Sequence, residues 1–587
     1  MSESVATLFD ESVKRFHKRP AIQYFCIKSS RWVTKNWLEL SKSVGKLANA
    51  LSKDMTSVGD RVAILSQTRP EWVISDIAIM KTACVVVPIY HSSLSDQLAY
   101  ILKDASAQII LVENEIQLKK VRQVQDEGVF IRRVIIFDPV LGTCRDNEVY
   151  LRDYTEGQPD IFATIKVNKE ELASLVYTSG TTGEPKGAMI SHDNLLYEAQ
   201  AIDKLGILSH EDVQLIFLPL AHIFARVLEA SWIRTGHLLA FAESIEKVVD
   251  NMAEIRPTFM AGVPRIFEKV RARAMETALA KKGLAKKIAA WAFLIASKKP
   301  SQTRIAHFQL LLAQRLVFDK IGKKLNKRFG GRLRFLVSGG AALPSDVSSF
   351  FRLCGILLCE GYGLTETTAA TCLNLPWAWR ENTVGRTFPG TELRLGPDHE
   401  IMVRGRGVFL GFWNKPKETK EVFNADGWFL TGDIGEIDED GYVKIVDRKK
   451  DIIITSQGKN VAPQRVESLI KSKSHCIAYA VIIGERKPYL TALIALEHVN
   501  AEALVNAANK KNPKINLVDL SVHPLVYQEI KNAIADANAM LPSFEQIKRF
   551  HILPNEFKIG VELTPTLKAK RKLIADKYAR DIQALYA

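Results

Sequence analysis

Short apolar runs alternate with amphipathic segments through the first two thirds of the chain. Arg61–Ser66 (RVAILS), Ala83–Ile89 (ACVVVPI) and Gln108–Val112 (QIILV) are continuously apolar, as strands covered on both faces must be. Between them, Glu71–Lys81 and Ser95–Asp104 carry helical periodicity. The same rhythm continues through Ala173–Tyr177, Gln214–Leu218, His237–Phe241, Thr258–Ala261 and Leu333–Val337. A βαβ rhythm predicts an α/β fold, with parallel sheets and helices on their faces. After about Gly385 the texture changes. The turn-rich pieces GPDHE, NADGW and DEDGY separate short strands, so 385–447 is expected to be a barrel-like, antiparallel subdomain. A charged turn at Asp447–Lys450 divides an N-terminal domain, 1–447, from a compact mixed α+β domain, 448–587, which ends in a basic helix from about Lys568.

Composition narrows this picture. At 587 residues, 47% hydrophobic and 25% charged, the chain is an ordinary globular one, and bulk disorder is excluded. Seven scattered cysteines without a C-x-x-C pair argue against a disulfide scaffold or zinc ribbon and favour a reducing cytoplasm. The N-terminus reaches acidic residues too early for a signal peptide. No apolar stretch approaches a membrane span; the strongest, Ile288–Ala296, is fenced by Lys286, Lys287, Lys298 and Lys299.

The net charge of +15 is local. Residues 264–334 hold 19 of the 80 Lys+Arg and 3 of the 65 Asp+Glu, leaving 61 basic against 62 acidic residues elsewhere. A nucleic-acid coat would be spread more widely, and no helix-turn-helix or zinc motif accompanies it, so no nucleic-acid partner is expected. The segment KKGLAKKIAAWAFLIASKK (281–299) interleaves lysines with an apolar run, which suits a helix lying on a membrane surface. The alternatives are reception of the phosphate groups of a ligand and a plain solvated face.

Three strings carry the chemistry. In YTSGTTGEPKGAMISHDN (Tyr177–Asn194), a strand runs into a loop. There Gly180 and Gly183 admit close approach of backbone N–H groups to an anion, and Thr178, Ser179, Thr181 and Thr182 add donors. Lys186 supplies a point charge for phosphate, and Ser191 is placed to cap the next helix. The G-K-[ST] ending of a Walker A loop is absent. In Arg332–Thr368 two strands end in SGGAAL and GYGLTETT, side by side where open parallel sheets bind ligands. Gly339, Gly340 and Ala341 leave room for a flat base against the backbone. Tyr362 offers a stacking face, Thr365 a hydroxyl, and Glu366 a hard carboxylate suited to Mg²⁺. In DGWFLTGD, Asp433 is placed to accept both hydroxyls of a ribose, with Arg448 donating to the same sugar.

Together these strings resemble the adenylate-forming superfamily of acyl-CoA synthetases, luciferase-like enzymes and peptide-synthetase adenylation domains. The resemblance runs from about Ala6 to the C-terminus, in the family's motif order. It implies a large N-terminal domain and a small mobile lid turning on a hinge at Lys450. It further implies that Thr178–Gly187 embraces the ATP phosphates and that His222 (PLAHIF) sits at the acyl–adenine junction. Gly340, Ala341 and Tyr362 would contact adenine, Thr365 the α-phosphate, Glu366 the Mg²⁺, and Asp433 with Arg448 the ribose. The family's catalytic lysine normally stands in a P-x-T-x-x-G-K-type string near the C-terminus, where this chain departs and reads LTPTLKAKRK. The L-T-x-T-x-K pattern favours Lys568, whereas alignment on Thr566 would choose Lys570. That pattern, with AGVPRIFEKV (261–270) and QGKNVAPQRVE (457–467), resembles the long-chain and very-long-chain synthetases.

The implied reaction joins a long-chain fatty acid to CoA through an acyl-adenylate, with ATP and CoA as co-substrates. The rival is a fatty-acyl-AMP ligase that loads a carrier protein; 448–458 lacks the lid insertion such relatives usually carry. Tunnel walls are expected from His222–Leu228 and Phe259–Val263. Arg226 stands where some relatives hold an aromatic gate, so that gating scheme is not carried over. The expected location is the cytoplasm, with peripheral contact on the inner face of a membrane through 281–299.

Overall fold

The computed structural model describes residues 3–587 apart from 56, 179–183, 298–303, 509–516, 559 and 565–567. Two parallel sheets form the body. The first has seven strands, in the order Glu148–Tyr150, Arg133–Ile136, Ile109–Val112, Arg61–Leu65, Val85–Ile89, Leu172–Thr178, Lys186–Ser191. The second has nine, in the order Arg386–Thr387, Cys372–Leu373, Leu358–Tyr362, Phe335–Ser338, Phe259–Gly262, Val213–Ile216, Leu238–Phe241, Pro20–Cys26, Arg31–Asn36. Antiparallel pairs occur only at their margins. The apolar runs named above supply the buried central strands, because helices cover both faces.

Two local expectations shift. Ser191 does cap helix His192–Lys204, its hydroxyl accepting from Asn194 N at 3.1 Å while Asn194 answers with its own side chain. Between loop and cap, however, Lys186–Ser191 is a strand paired antiparallel to Leu172–Thr178, in register Thr178↔Lys186. KGAMIS has little strand pattern of its own; the partner strand imposes it. The C-terminal helix begins at Arg571, not Lys568. Thr564 accounts for the delay: its hydroxyl accepts from Lys568 N at 3.0 Å and its N–H donates to Lys568 O at 2.8 Å.

Beyond Gly385, Thr391–Leu395, Glu400–Gly405, Phe429–Ile437 and Val443–Arg448 form an antiparallel four-stranded sheet. After a turn at 449–451, the last part of the chain builds its own apolar core around Val466, Ile470, Leu490, Ile494 and Ile530. There the sheet of Ile477–Ile483, Leu490–Leu496 and Ile547–Leu553 packs against helices Pro463–Lys473 and Pro524–Asn538. Two separate cores let this unit move as a body.

The basic block is the crossover between the paired parallel strands Phe259–Gly262 and Phe335–Ser338, expanded into helices Pro264–Leu279, Leu284–Ser297, Arg304–Ala313 and Asp319–Arg328. Among the described residues, no helix is long and apolar enough to cross a membrane.

Candidate active site

The carboxyl ends of the nine-stranded sheet, the end of strand Leu172–Thr178, the four-stranded sheet and the C-terminal unit enclose one cleft of about 2190 Å³. Thr178, Lys186, His222, Gly340, Ala341, Tyr362, Thr365, Glu366, Asp433, Arg448 and Lys568 all line it. Residues from five separate strings, spread from Thr178 to Lys568, thus converge. Ser179, Gly180, Thr181, Thr182 and Gly183 lie outside the described residues.

Asp433 is the best-held of these groups. Pairing of the last two strands sets it opposite Arg448, and Arg448 Nε reaches its Oδ1 at 3.1 Å. Tyr362 donates its hydroxyl to Oδ2 at 2.7 Å. Each carboxylate oxygen keeps a lone pair free for a sugar hydroxyl. Burial pushes the Asp433 carboxyl above its ordinary range, while Arg448 and the Tyr362 hydroxyl pull it back.

On the opposite wall, the SGGAAL loop follows strand Phe335–Ser338. Gly340 has φ +79°, a left-handed conformation that favours glycine. A Cβ at Gly339 would stand 3.1 Å from the Phe224 ring. The loop is tethered by a residue that sequence reasoning passed over: Glu360 accepts from Leu343 N at 3.0 Å, and burial pushes its carboxyl up to about 7. An acid inside the apolar run GILLCEGYG was the available signal.

His222 is the N-cap of helix Ile223–Thr235, its Nδ1 accepting from Phe224 N at 3.2 Å. That bond assigns the proton to Nε2, leaving a neutral ring with a donor free. Burial, then the charge of Lys568, hold its pKa down to about 4. Glu366, in the short helix Thr365–Thr367, is raised above its ordinary range by burial and forms no ion pair among the described residues. Lys186 stands 5.2 Å from the Phe412 ring centroid, a cation–π contact that holds its ammonium at the end of the strand.

Lys568 comes from the C-terminal unit. Its side chain keeps contact with solvent, yet the cleft walls crowd it. Burial and Arg448 pull its pKa down to about 8, against Asp433, Glu366 and Asp451. Lys570 lines the cleft as well, but its ammonium donates to Gly560 O at 3.0 Å. Among the described residues, the following polar contacts hold the C-terminal unit in this position. Arg265 donates to Tyr479 Oη at 2.7 Å and pairs with Glu497 at 3.7 Å, and Lys471 pairs with Glu268 at 3.4 Å. Asp447 accepts from Gln464 N in the first turn of helix Pro463–Lys473, at 3.0 Å.

A second, apolar cavity of about 990 Å³ adjoins the cleft, sharing His222, Phe224, Gly340 and Ala341 with it. Of the expected tunnel walls, Phe224, Ala225 and Val263 line this cavity, whereas Val227, Leu228 and Phe259 line the larger cleft. Arg226 lines neither. It is buried, with Nη1 2.5 Å from Asp76 on helix Pro70–Lys81 and its guanidinium over the Trp72 ring. Most of the cavity wall comes instead from the basic block, as Ile266, Val270, Ala274 and Ala278 on one helical face. Their i, i+4 spacing was visible in the sequence as an amphipathic helix, but not as a cavity wall.

This arrangement is a candidate nucleotide site between the N-terminal body and the C-terminal unit. Residues 9–413 match the model of the AMP-binding enzyme family, and 450–587 match that of the AMP-binding enzyme C-terminal domain. The chain belongs to this family. It is 34% identical to the long-chain-fatty-acid–CoA ligase FadD15 of Mycobacterium bovis, over 94% of this chain and 92% of that protein. It is 29% identical to the human long-chain-fatty-acid–CoA ligase ACSBG2, over 99% and 92%. Among solved structures, the adenylation domain of a carboxylic acid reductase from Segniliparus rugosus, with AMP and a carboxylic acid, superposes at TM-score 0.78 with 19% identity, covering 99% of this chain and 94% of that one. ATP-bound MatB from Rhodopseudomonas palustris superposes at 0.71 with 23% identity, covering 98% and 99%.

Proposed function

We propose that this AMP-forming acid–thiol ligase acts on long-chain fatty acids, converting fatty acid, ATP and CoA to acyl-CoA, AMP and pyrophosphate. The observation that carries the reading is the junction at His222, Gly340 and Ala341, where a polar nucleotide cleft meets an apolar cavity. The names of the relatives support the same chemistry.

In the first half-reaction a carboxylate oxygen attacks the α-phosphorus of ATP, and the bond to the bridging oxygen of pyrophosphate breaks. Two anions must meet, so positioning and charge neutralisation carry the catalysis. Asp433, with Arg448 and Tyr362 bracing it, holds the ribose; the SGGAAL loop receives the base. Lys186 faces the outer phosphates and Lys568 the α-phosphate and carboxylate. His222 Nε2–H donates to an oxygen at the junction, and Thr365 to the α-phosphate. Glu366 suits Mg²⁺ brought in with ATP: no cluster of three or more metal-binding side chains occurs among the described residues, and one carboxylate with phosphate oxygens and water completes such a site. When bound, the cation neutralises phosphate charge. In the second half-reaction CoA thiolate attacks the acyl carbon and AMP leaves. Lys568 must first clear the carbonyl, and rotation about Lys450, releasing the contacts of Arg265, Lys471 and Asp447, accomplishes it.

Incubation with palmitate, ATP and CoA should yield the thioester; accumulation of palmitoyl-AMP without thioester would favour the carrier-loading alternative. Glu366→Ala should raise the Mg²⁺ concentration needed for half-maximal pyrophosphate release by about tenfold or more, the effect of losing one charge-assisted contact of roughly 1.5–3 kcal/mol. An unchanged Mg²⁺ dependence would remove Glu366 from the metal. Filling the cavity by Ala274→Phe should move the optimum of a C8 to C24 acid panel toward shorter chains. Each methylene that no longer fits forfeits up to about 0.8 kcal/mol, so losing two carbons costs about tenfold in kcat/KM.

A further inference from the structure

We propose that the helical hairpin inside the basic block is a docking surface for an anionic lipid bilayer. From Thr277 to Phe318 the sequence contains no Asp or Glu. On helix Arg304–Ala313, Ile305, Phe308 and Leu312 fall at i, i+3 and i+7. This stripe is not core: Ile305 is 72% exposed and Phe308 66%. The neighbouring side chains Ala306 and Leu310 turn the other way and line the large cleft. The exposed apolar face is therefore a distinct surface of the helix, and nothing among the described residues buries it.

The charge beside this stripe selects the occupant. Helix Leu284–Ser297 packs against helix Arg304–Ala313 and begins with exposed Lys286 and Lys287, preceded by exposed Lys282. Arg315, Lys323 and Lys327 are exposed on the continuation of the second helix. None of these six forms an ion pair among the described residues. Apolar side chains flanked by uncompensated cations suit acyl chains beneath anionic headgroups, each cation near such a surface contributing about a fivefold factor in binding. The surface joins the described part of the membrane segment read from 281–299, whose Lys298 and Lys299 lie outside the described residues and are not part of it, to a second helix that adds apolar contact.

Position adds a consequence. The apolar cavity is also lined by Lys281, Lys320 and Lys324, all exposed on this same basic face. A docked enzyme would hold that mouth against lipid, where long-chain acids partition. This clause rests on the fatty-acyl reading; the docking itself does not.

The test is sedimentation of the full chain with vesicles of equimolar phosphatidylcholine and phosphatidylglycerol, and with phosphatidylcholine alone. The wild type should bind the anionic vesicles at least about tenfold more tightly. Combined K282E, K286E and K287E should remove that preference, and combined F308S and L312S should weaken binding about tenfold or more, as expected for two large side chains no longer buried in lipid. Both variants should retain wild-type synthesis of acyl-CoA from an acid short enough to dissolve freely. Absence of that activity in the wild type, with its preference for anionic vesicles intact, would count against the enzymatic reading and leave the surface standing. Binding unchanged in both variants, or equal binding to neutral vesicles, would overturn the proposal. So would a wild-type dimer that F308S/L312S converts to monomer, since the stripe would then be covered by a second copy of the chain.

Discussion

Replacing Lys568 by alanine is expected to reduce acyl-AMP formation by about a thousandfold, on the order of 4 kcal/mol of transition-state stabilisation, while consumption of supplied acyl-AMP in the presence of CoA falls little. The asymmetry follows from geometry. Lys568 is the cation that the C-terminal unit delivers to a cleft already holding His222, Glu366, Asp433 and Arg448. Only the first half-reaction brings carboxylate and phosphate charge together there. Lys570→Ala should cost far less, because that ammonium is spent on Gly560 O within its own unit. The two half-reactions are separated by pyrophosphate release and by thioester formation from synthetic acyl-AMP; equal loss of both would sink the assignment. A pH profile adds an independent check. The pKa of Lys568 is pulled down to about 8, so the required ammonium is fully present below that pH and is lost as pH rises through it. The kcat/KM for ATP should therefore decline above about pH 8. His222, held down to about 4, contributes no limb near neutrality.

The second large effect is expected at Asp433. Asp433→Ala should lower kcat/KM for ATP by a factor of roughly 10² to 10⁴, the loss of two charge-assisted hydrogen bonds worth about 1.5–3 kcal/mol each. It also strands Arg448, whose guanidinium loses the carboxylate it meets at 3.1 Å. Asp433→Asn separates the two causes. The amide keeps one acceptor for the sugar but cannot neutralise Arg448, so it should fall between wild type and alanine. If 2′-deoxy-ATP is penalised as strongly by Asp433→Ala as by the wild type, the carboxylate does not read the ribose.

Much of the candidate site was legible as a set of residues because its chemistry is local. A glycine-rich turn after a strand, a T-G-D turn and a lysine in a C-terminal string each declare a backbone shape or a charge within a few residues. The central strands were equally legible, since helices on both faces demand unbroken apolar runs such as Val85–Ile89. Strand Lys186–Ser191 was not, because a short, glycine-containing segment becomes a strand only through its partner. Nor was the role of Arg226. From sequence it stood at a gate position, but Asp76, on a helix some 150 residues away, draws it into the core at 2.5 Å.

By itself, then, the sequence determined the fold class, the chemical repertoire and the family, and it localised the excess charge to one block. Tertiary structure alone decided how the lysines of LTPTLKAKRK are engaged: Lys568 and Lys570 both line the cleft, Lys570 donating to Gly560 O while the hydroxyl and N–H of Thr564 hold the backbone of Lys568. It also decided what walls the apolar cavity and which face of the basic helices remains bare. The physical reason is common to all three. Periodicity tells which residues share a face of one element, but only packing between elements decides whether that face meets core, cavity or solvent.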